Sequence, residues 1–220
     1  MGIGAANRAP RWKRRSGARP GEIAEAAFAL FLEKGFARTR IDDVAAKAGV
    51  SKGTIYLYFE NKEALFNAAI DRAVLPNVAR FEGLIDSSKG TTPELIERLL
   101  AMMAKVVTAT PVGGVPKLII SESGNFPELV EHYRDVVVLR IHGLMAALIQ
   151  RGIDRGEFRD DVDPIYVGRI MGAPIFLLAI ANAIPTFRDA WKIDPAKHAA
   201  EAAKVILDGL IPRERSEVQS

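Results

Sequence analysis

The 220-residue sequence predicts an all-α fold: an N-terminal three-helix unit followed by a larger helical domain. Three observations carry this. Apolar residues recur at spacings of three and four along most of the chain, and no stretch alternates as a half-buried strand does. Helix-start signals are frequent and clear: Thr92-Pro93-Glu94, Asp163-Pro164 and Asp194-Pro195 each set a capping residue before a proline at the first helical position. Finally, 49% hydrophobic and 26% charged residues are ordinary proportions for a packed globular protein. Cysteine is absent, which excludes disulfides and thiolate metal sites and is compatible with a reducing cytoplasm.

The expected organisation is a basic arm over 1–20, a three-helix unit over 21–70, a larger helical domain over 71–211 and a tail over 212–220. The arm holds six cations (Arg8, Arg11, Lys13, Arg14, Arg15 and Arg19) and no acid. It lacks the apolar core of a signal peptide. Two readings of it stand: a groove- or backbone-tracking arm, with Arg14 and Arg15 as candidate phosphate contacts, or a solubilising tail. Net charge is +3 overall, but residues 1–70 carry 12 Lys/Arg against 7 Asp/Glu, and 71–220 carry 18 against 20. The positive charge therefore sits at the N-terminal end, as attraction to phosphate requires.

The three-helix unit begins with a helix over 21–35, Ile23, Ala27, Phe28, Leu30 and Phe31 inward, closed by Gly35. Thr39 with Asp42 resembles a capping box for the next helix. Ile41, Val44, Ala45 and Ala48 then mark about two turns, and Gly49 suits the left-handed residue that ends them. Ser51 caps a helix over about 52–58, with Ile55 inward, and Asn61 caps a third that begins at Lys62. Two short helices joined by a glycine turn are the helix-turn-helix plan. A recognition helix enters the major groove by its N-terminal end. Ser51, Lys52, Gly53, Thr54 and Tyr56 supply donors and little bulk there, Lys52, Thr54 and Tyr56 being the candidates for base contact. Thr39, Tyr58 and Lys62 are the candidates for phosphate.

Gly35-Phe36-Ala37-Arg38-Thr39, Asp43-Val44-Ala45, Ala48 through Phe59, and Asn61-Lys62-Glu63-Ala64-Leu65 together resemble the DNA-binding domain of TetR-family transcriptional regulators. Leu118 to Leu129 resembles, more loosely, a recurrent stretch of that family's second half. The resemblance implies a homodimer, double-stranded DNA with a palindromic operator, and repression relieved by a small-molecule effector. It implies no membrane partner.

In the second half, the helix from Lys62 is expected to run on through a kink at Pro76 toward Ile85, with a linker at 87–90. Helices follow near 93–109, 116–124, 127–151, 164–184 and 195–211, and residues 152–163 form a charged loop. Ile170 to Phe187 has no charge for 18 positions, the lower limit for a membrane span. Its prolines favour a buried core or subunit-interface helix. A small-residue track, Gly172, Ala179 and Ala183 with Ala199, Ala203 and Ile206, is the candidate dimer interface; intramolecular packing is the competing reading.

An effector pocket belongs between these helices. Met103, Val107, His142, Met145, Met171, Ile175 and Asn182 are its candidate lining, against the plain alternative that they are core. Glu122 is either a ligand contact or a solvated helix end. No metal site, cofactor loop or catalytic constellation is expected: the pattern lacks an HExxH pair, a nucleophile elbow and a phosphate loop. The function expected is thus a cytoplasmic DNA-binding repressor. Its alternatives are a regulator of the same fold that activates or answers to a protein partner, and an all-α carrier or enzyme with incidental nucleic-acid affinity.

Overall fold

The computed structural model describes residues 19–212, so Arg14, Arg15 and nearly all of the expected arm and tail lie outside the described residues. Within them the chain is helical, with no strand. The helices are α1 Arg19–Lys34, α2 Ile41–Ala48, α3 Lys52–Tyr56, α4 Lys62–Ser87, α5 Thr92–Ala109, α6 Val115–Glu122, α7 Pro127–Tyr133, α8 Leu139–Asp154, α9 Pro164–Ala183, α10 Pro185–Trp191 and α11 Pro195–Leu210. A 3-10 turn, Pro111–Gly114, precedes α6, and a π-helical segment, Arg134–Val138, joins α7 to α8.

Most ends are made by the residues that the spacing marks. Ser51 Oγ accepts from Thr54 N, Asn61 Oδ1 from Ala64 N, Asp163 from Ile165 N and Tyr166 N, and Asp194 from Ala196 N and Lys197 N. Each satisfies amides that a helix leaves without an internal partner. Gly49 closes α2 at φ 66°, the left-handed region where a Cβ would collide with its own backbone. Two caps differ from expectation. Thr91, not Thr92, caps α5 in a reciprocal box with Glu94. Arg40 stands at the N-cap of α2 with no side-chain bond, because Thr39 turns inward instead. α4 remains one helix through Pro76.

Two hydrophobic cores result. The first gathers Ile23, Ala27 and Phe31 of α1, Val44 of α2, Ile55 of α3 and Leu65, Phe66 and Ile70 of α4. It does not stop there: Val115, Leu118 and Ile119 of α6, Leu129 of α7 and Val137 of the π segment belong to it. The second packs Leu95, Leu99 and Met103 of α5 against Met145 and Ile149 of α8, Met171, Ile175 and Leu178 of α9, and Ala199, Ala203 and Leu207 of α11.

This placement takes three residues out of the expected dimer interface and leaves Ala183 and Ile206 partly exposed. Ala179, Ala199 and Ala203 are buried inside the chain, where their small size lets α9, α11 and α5 approach closely. The apolar surface left outside is the opposite face of α9, with Tyr166, Ile170 and Leu177 exposed, and Val205 on α11. The charge-free run also divides: Pro185 opens α10, so Phe187 lies on a separate helix stacked on Trp191, with ring centroids 5.1 Å apart. By length and composition, Pro127–Asp154 joins Pro164–Ala183 as a helical run apolar enough to cross a membrane.

Candidate functional site: a DNA-reading surface joined to an apolar chamber

The DNA-reading surface is assembled around α3. Ile55, 1% exposed, pins this five-residue helix to the first core, so the other residues project outward. Ser51 Oγ lies 2.8 Å from Thr54 Oγ1, which fixes both hydroxyls at the helix start. Lys52, Gly53, Tyr56 and Tyr58 are exposed, Tyr56 at 49%. Lys52 Nζ pairs with Asp42 at 3.2 Å, bridging α2 and α3 at the surface. An exposed pair of this kind is worth little. Leu57, 80% exposed, stands on the same surface and went unnoticed in the sequence. An apolar residue after an aromatic one at a helix end carries no signal that separates display from burial.

Two expected phosphate contacts have partners within the chain. Thr39 is 2% exposed and its hydroxyl donates to Gly35 O at 2.7 Å, so this side chain is a buried brace for the turn after α1. Lys62 is partly buried: its Nζ donates to Ala37 O at 3.2 Å and sits 4.3 Å from the Phe36 ring centroid. Burial lowers the Lys62 pKa, an effect that Glu63 and Glu122 oppose.

Behind the reader lies its junction with the second half. Phe31, Phe36 and Phe66 form a triangle with centroids 5.1 to 5.6 Å apart, and Phe126 meets Phe36 edge-on at 4.7 Å. Glu122, at the end of α6, is 8% exposed and accepts the Phe36 amide at 2.9 Å across 86 residues of sequence. Gly35 makes room for it: φ is 82°, and a Cβ there would lie 2.6 Å from Glu122 Oε1. Glu122 is therefore not a solvated helix end but a buried polar tie between the two halves.

The chamber is a cavity of about 450 Å³ between α5, α6, α7, the π segment, α8 and α9. Met103, Val107, His142, Met145 and Ile175 line it as expected. Met171 and Asn182 do not: Met171 is sealed in the second core, and Asn182 faces clefts beyond the end of α9. Gly172, placed by expectation on the dimer face, is in the chamber wall, where a Cβ would touch Met145 Sδ at 3.4 Å. Val138 lines it too, a residue that helical spacing sets on one face with His142 and Met145, and Pro116, Tyr133, Val137, Ile141, Arg169, Ala173 and Phe176, which no local pattern marks, complete the wall with Ala179. Val137 and Val138 reach the wall from the π segment, a kind of bulge found frequently at functional sites. Burial pushes the Tyr133 phenol up to about 12, so it remains a donor. Burial, and then the charge of Arg169, lowers the His142 pKa and favours the neutral ring.

A wider groove of about 750 Å³ lies between α5 and α11, rimmed by Glu97, Arg98, Lys105 and Asp194. The smaller chamber is the better ligand site, because its wall is apolar with few, convergent polar groups.

A helix-turn-helix reader on a helical body with an apolar chamber between its helices defines a DNA-binding transcriptional regulator that responds to a ligand. Residues 23–69 match the model for bacterial regulatory proteins of the tetR family, and residues 89–191 the model for tetracyclin repressor-like C-terminal domains. The HTH-type transcriptional regulator YdeS of Bacillus subtilis is 31% identical over 160 residues, spanning 70% of this chain and 74% of that one. TtgR of Pseudomonas putida is 29% identical over 192 residues, 87% and 78% of the two chains. A crystal structure of FadR from Bacillus subtilis with stearoyl-CoA superposes at a TM-score of 0.74 and 20% identity, covering 86% of this chain and 98% of that one. The chain belongs to the TetR family of transcriptional regulators.

Proposed function

We propose that the protein is a cytoplasmic homodimeric repressor whose effector occupies the chamber and releases it from a palindromic operator. In this reading residues 21–70 form the DNA-binding domain, 71–211 the effector and dimerisation domain, and the work done is binding, not catalysis. Each subunit sets α3 into a major groove, with half-sites one helical turn or a multiple apart. Ser51, Lys52, Gly53, Thr54 and Tyr56 contact or approach bases, and Tyr58 and Lys62 the backbone. Arg14 and Arg15 are carried forward as arm contacts to phosphate. The partner subunit packs on the exposed face of α9 around Tyr166, Ile170 and Leu177, with Val205 of α11. The stearoyl-CoA held by the FadR neighbour supports a small-molecule effector for the helical half.

One observation carries the reading: α6 touches the chamber at Pro116 and the reader's Phe36 through Glu122. It has eight residues, roughly 12 Å at 1.5 Å per residue. A ligand that binds better to the arrangement with α6 displaced shifts the population away from the DNA-competent one. The test is anisotropy binding to the DNA upstream of the protein's own gene and to a scrambled duplex, at two salt concentrations. Preference for the first duplex supports the reading. If a genome-wide selection also finds no preferred site, the reading fails.

A further inference from the structure

Besides apolar groups, the chamber wall holds three polar side chains: Tyr133 from α7, His142 from α8 and Arg169 from α9. All three are hydrogen-bond donors. The phenol keeps its proton, the neutral imidazole offers one N–H, and the guanidinium offers five in a rigid fork. No carboxylate lines the chamber, and among the described residues no acid lies within ion-pair distance of Arg169. The exposed ring of Tyr166 lies 5.3 Å from its guanidinium carbon. The arginines of the π segment and α8 are engaged: Arg134 with Asp135, Arg140 with Glu82, and Arg151 with the carbonyls of Ser88 and Gly90. Arg169 is the exception, and it stands at the rim of an otherwise apolar cavity.

Resting on the effector reading above, we infer that the chamber takes an apolar molecule with a single anionic end, a hydrophobic carboxylate held at Arg169. Chain and charge are both required. Methionine, valine, isoleucine and phenylalanine wall the interior, so burial of an apolar body supplies the driving force. A carboxylate matches the planar fork of Arg169 with two parallel hydrogen bonds, and guanidinium is weakly hydrated, so pairing at a rim costs it little water. A cationic end would instead meet an unpaired arginine and find no acid. A neutral apolar molecule would fill the cavity and leave the charge unanswered. At about 450 Å³ the space suits a medium-length chain or a small ring system, within the roughly 300–1,000 Å³ of small-molecule sites.

Calorimetric titration of the full chain with decanoate, 1-decanol and decylamine, each below its micellar concentration at pH 7.5, tests this. Decanoate should bind about tenfold or more tightly than decanol, with decylamine weakest. Arg169→Gln should erase the difference between decanoate and decanol, and Arg169→Lys, which keeps the charge without the fork, should fall between. Circular dichroism of each variant establishes that the helical fold is retained. Equal binding of decanoate and decanol, a difference that survives Arg169→Gln, or no decanoate binding overturns the inference. If a neutral or cationic compound then releases operator DNA, the effector reading stands without it. If decanoate binds as described and operator affinity does not change, the site stands and the effector reading falls.

Discussion

The reader and the chamber are built by opposite means. The side chains that α3 and its flanking turns display come from one continuous stretch, 39–66, whose caps and glycine turn set its shape within a few residues of each point. The chamber wall is drawn from six segments between Met103 and Ala179, and no short stretch contains it. One surface is specified locally and displays its side chains. The other exists only once distant helices have packed. The junction at Phe36 and Glu122 belongs to both, since the first core passes through it without a boundary.

If that continuity is real, the halves should unfold together. Phe36→Ala removes the ring at the centre of the aromatic cluster and should cost about 3–5 kcal/mol. Urea melts followed by circular dichroism should show one transition at lower midpoint. Two separated transitions, with the second unchanged, would break the picture of a shared core. Glu122→Ala leaves the buried Phe36 amide without an acceptor, at a cost of about 1–3 kcal/mol. Glu122→Gln keeps an acceptor oxygen and should recover most of the loss; equal melting of the two variants would deny the tie its role. Comparable in size but confined to the reader, Tyr56→Ala should cost about 1–3 kcal/mol of operator affinity and sequence preference, with the melting temperature nearly unchanged. Operator titrations alongside thermal melts separate the two, and lost stability with retained preference would place Tyr56 in the fold instead.

Smaller still is the expected change for Lys52→Ala. The specific duplex should weaken more than the scrambled one, as loss of a near-base contact requires, and the log–log salt slope should fall by about 1 if this lysine also exchanges Asp42 for a neighbouring phosphate. An unchanged slope would leave it a surface pair only. The smallest effect belongs to the chamber. His142 has a lowered pKa in the folded chain, so the unfolded chain binds more protons as pH falls below about 6.5. Its contribution is present above that pH and is lost as pH drops through the lower folded value. His142→Asn should therefore flatten the fall in melting temperature between pH 7 and pH 5. A steeper fall would refute the sign.

Legibility followed the same division. Ser51, Gly49, Asn61, Asp163 and Asp194 act where the spacing put them, because a cap acts on amides two or three residues away. Thr39 had the right type for a cap but a stronger use indoors, with the Gly35 carbonyl open to its hydroxyl. Glu122 reached a partner 86 residues distant, which no local pattern encodes. The alanines of α9 and α11 were recognisable as a close-packing track, yet what they pack against was not. Tyr133 and Arg169 carried no local mark of a site, and the signal that could have found them was modest: Arg169 is the last charge before the long apolar run.

By itself, then, the sequence determined the all-α class, most helix starts and the start of the reading helix with Ile55 inward and Lys52 and Tyr56 outward, though the helix stops at Tyr56 and not near residue 58. These depend on backbone hydrogen bonds and side-chain periodicity within a turn or two. Tertiary structure alone decided which face of α9 is buried, where the chamber lies and what ties it to the reader. α9 is apolar on nearly all sides, so periodicity cannot choose its inner face. Only packing against α5, α8 and α11 assigns Met171, Ile175 and Leu178 to the core and leaves Tyr166, Ile170 and Leu177 outside.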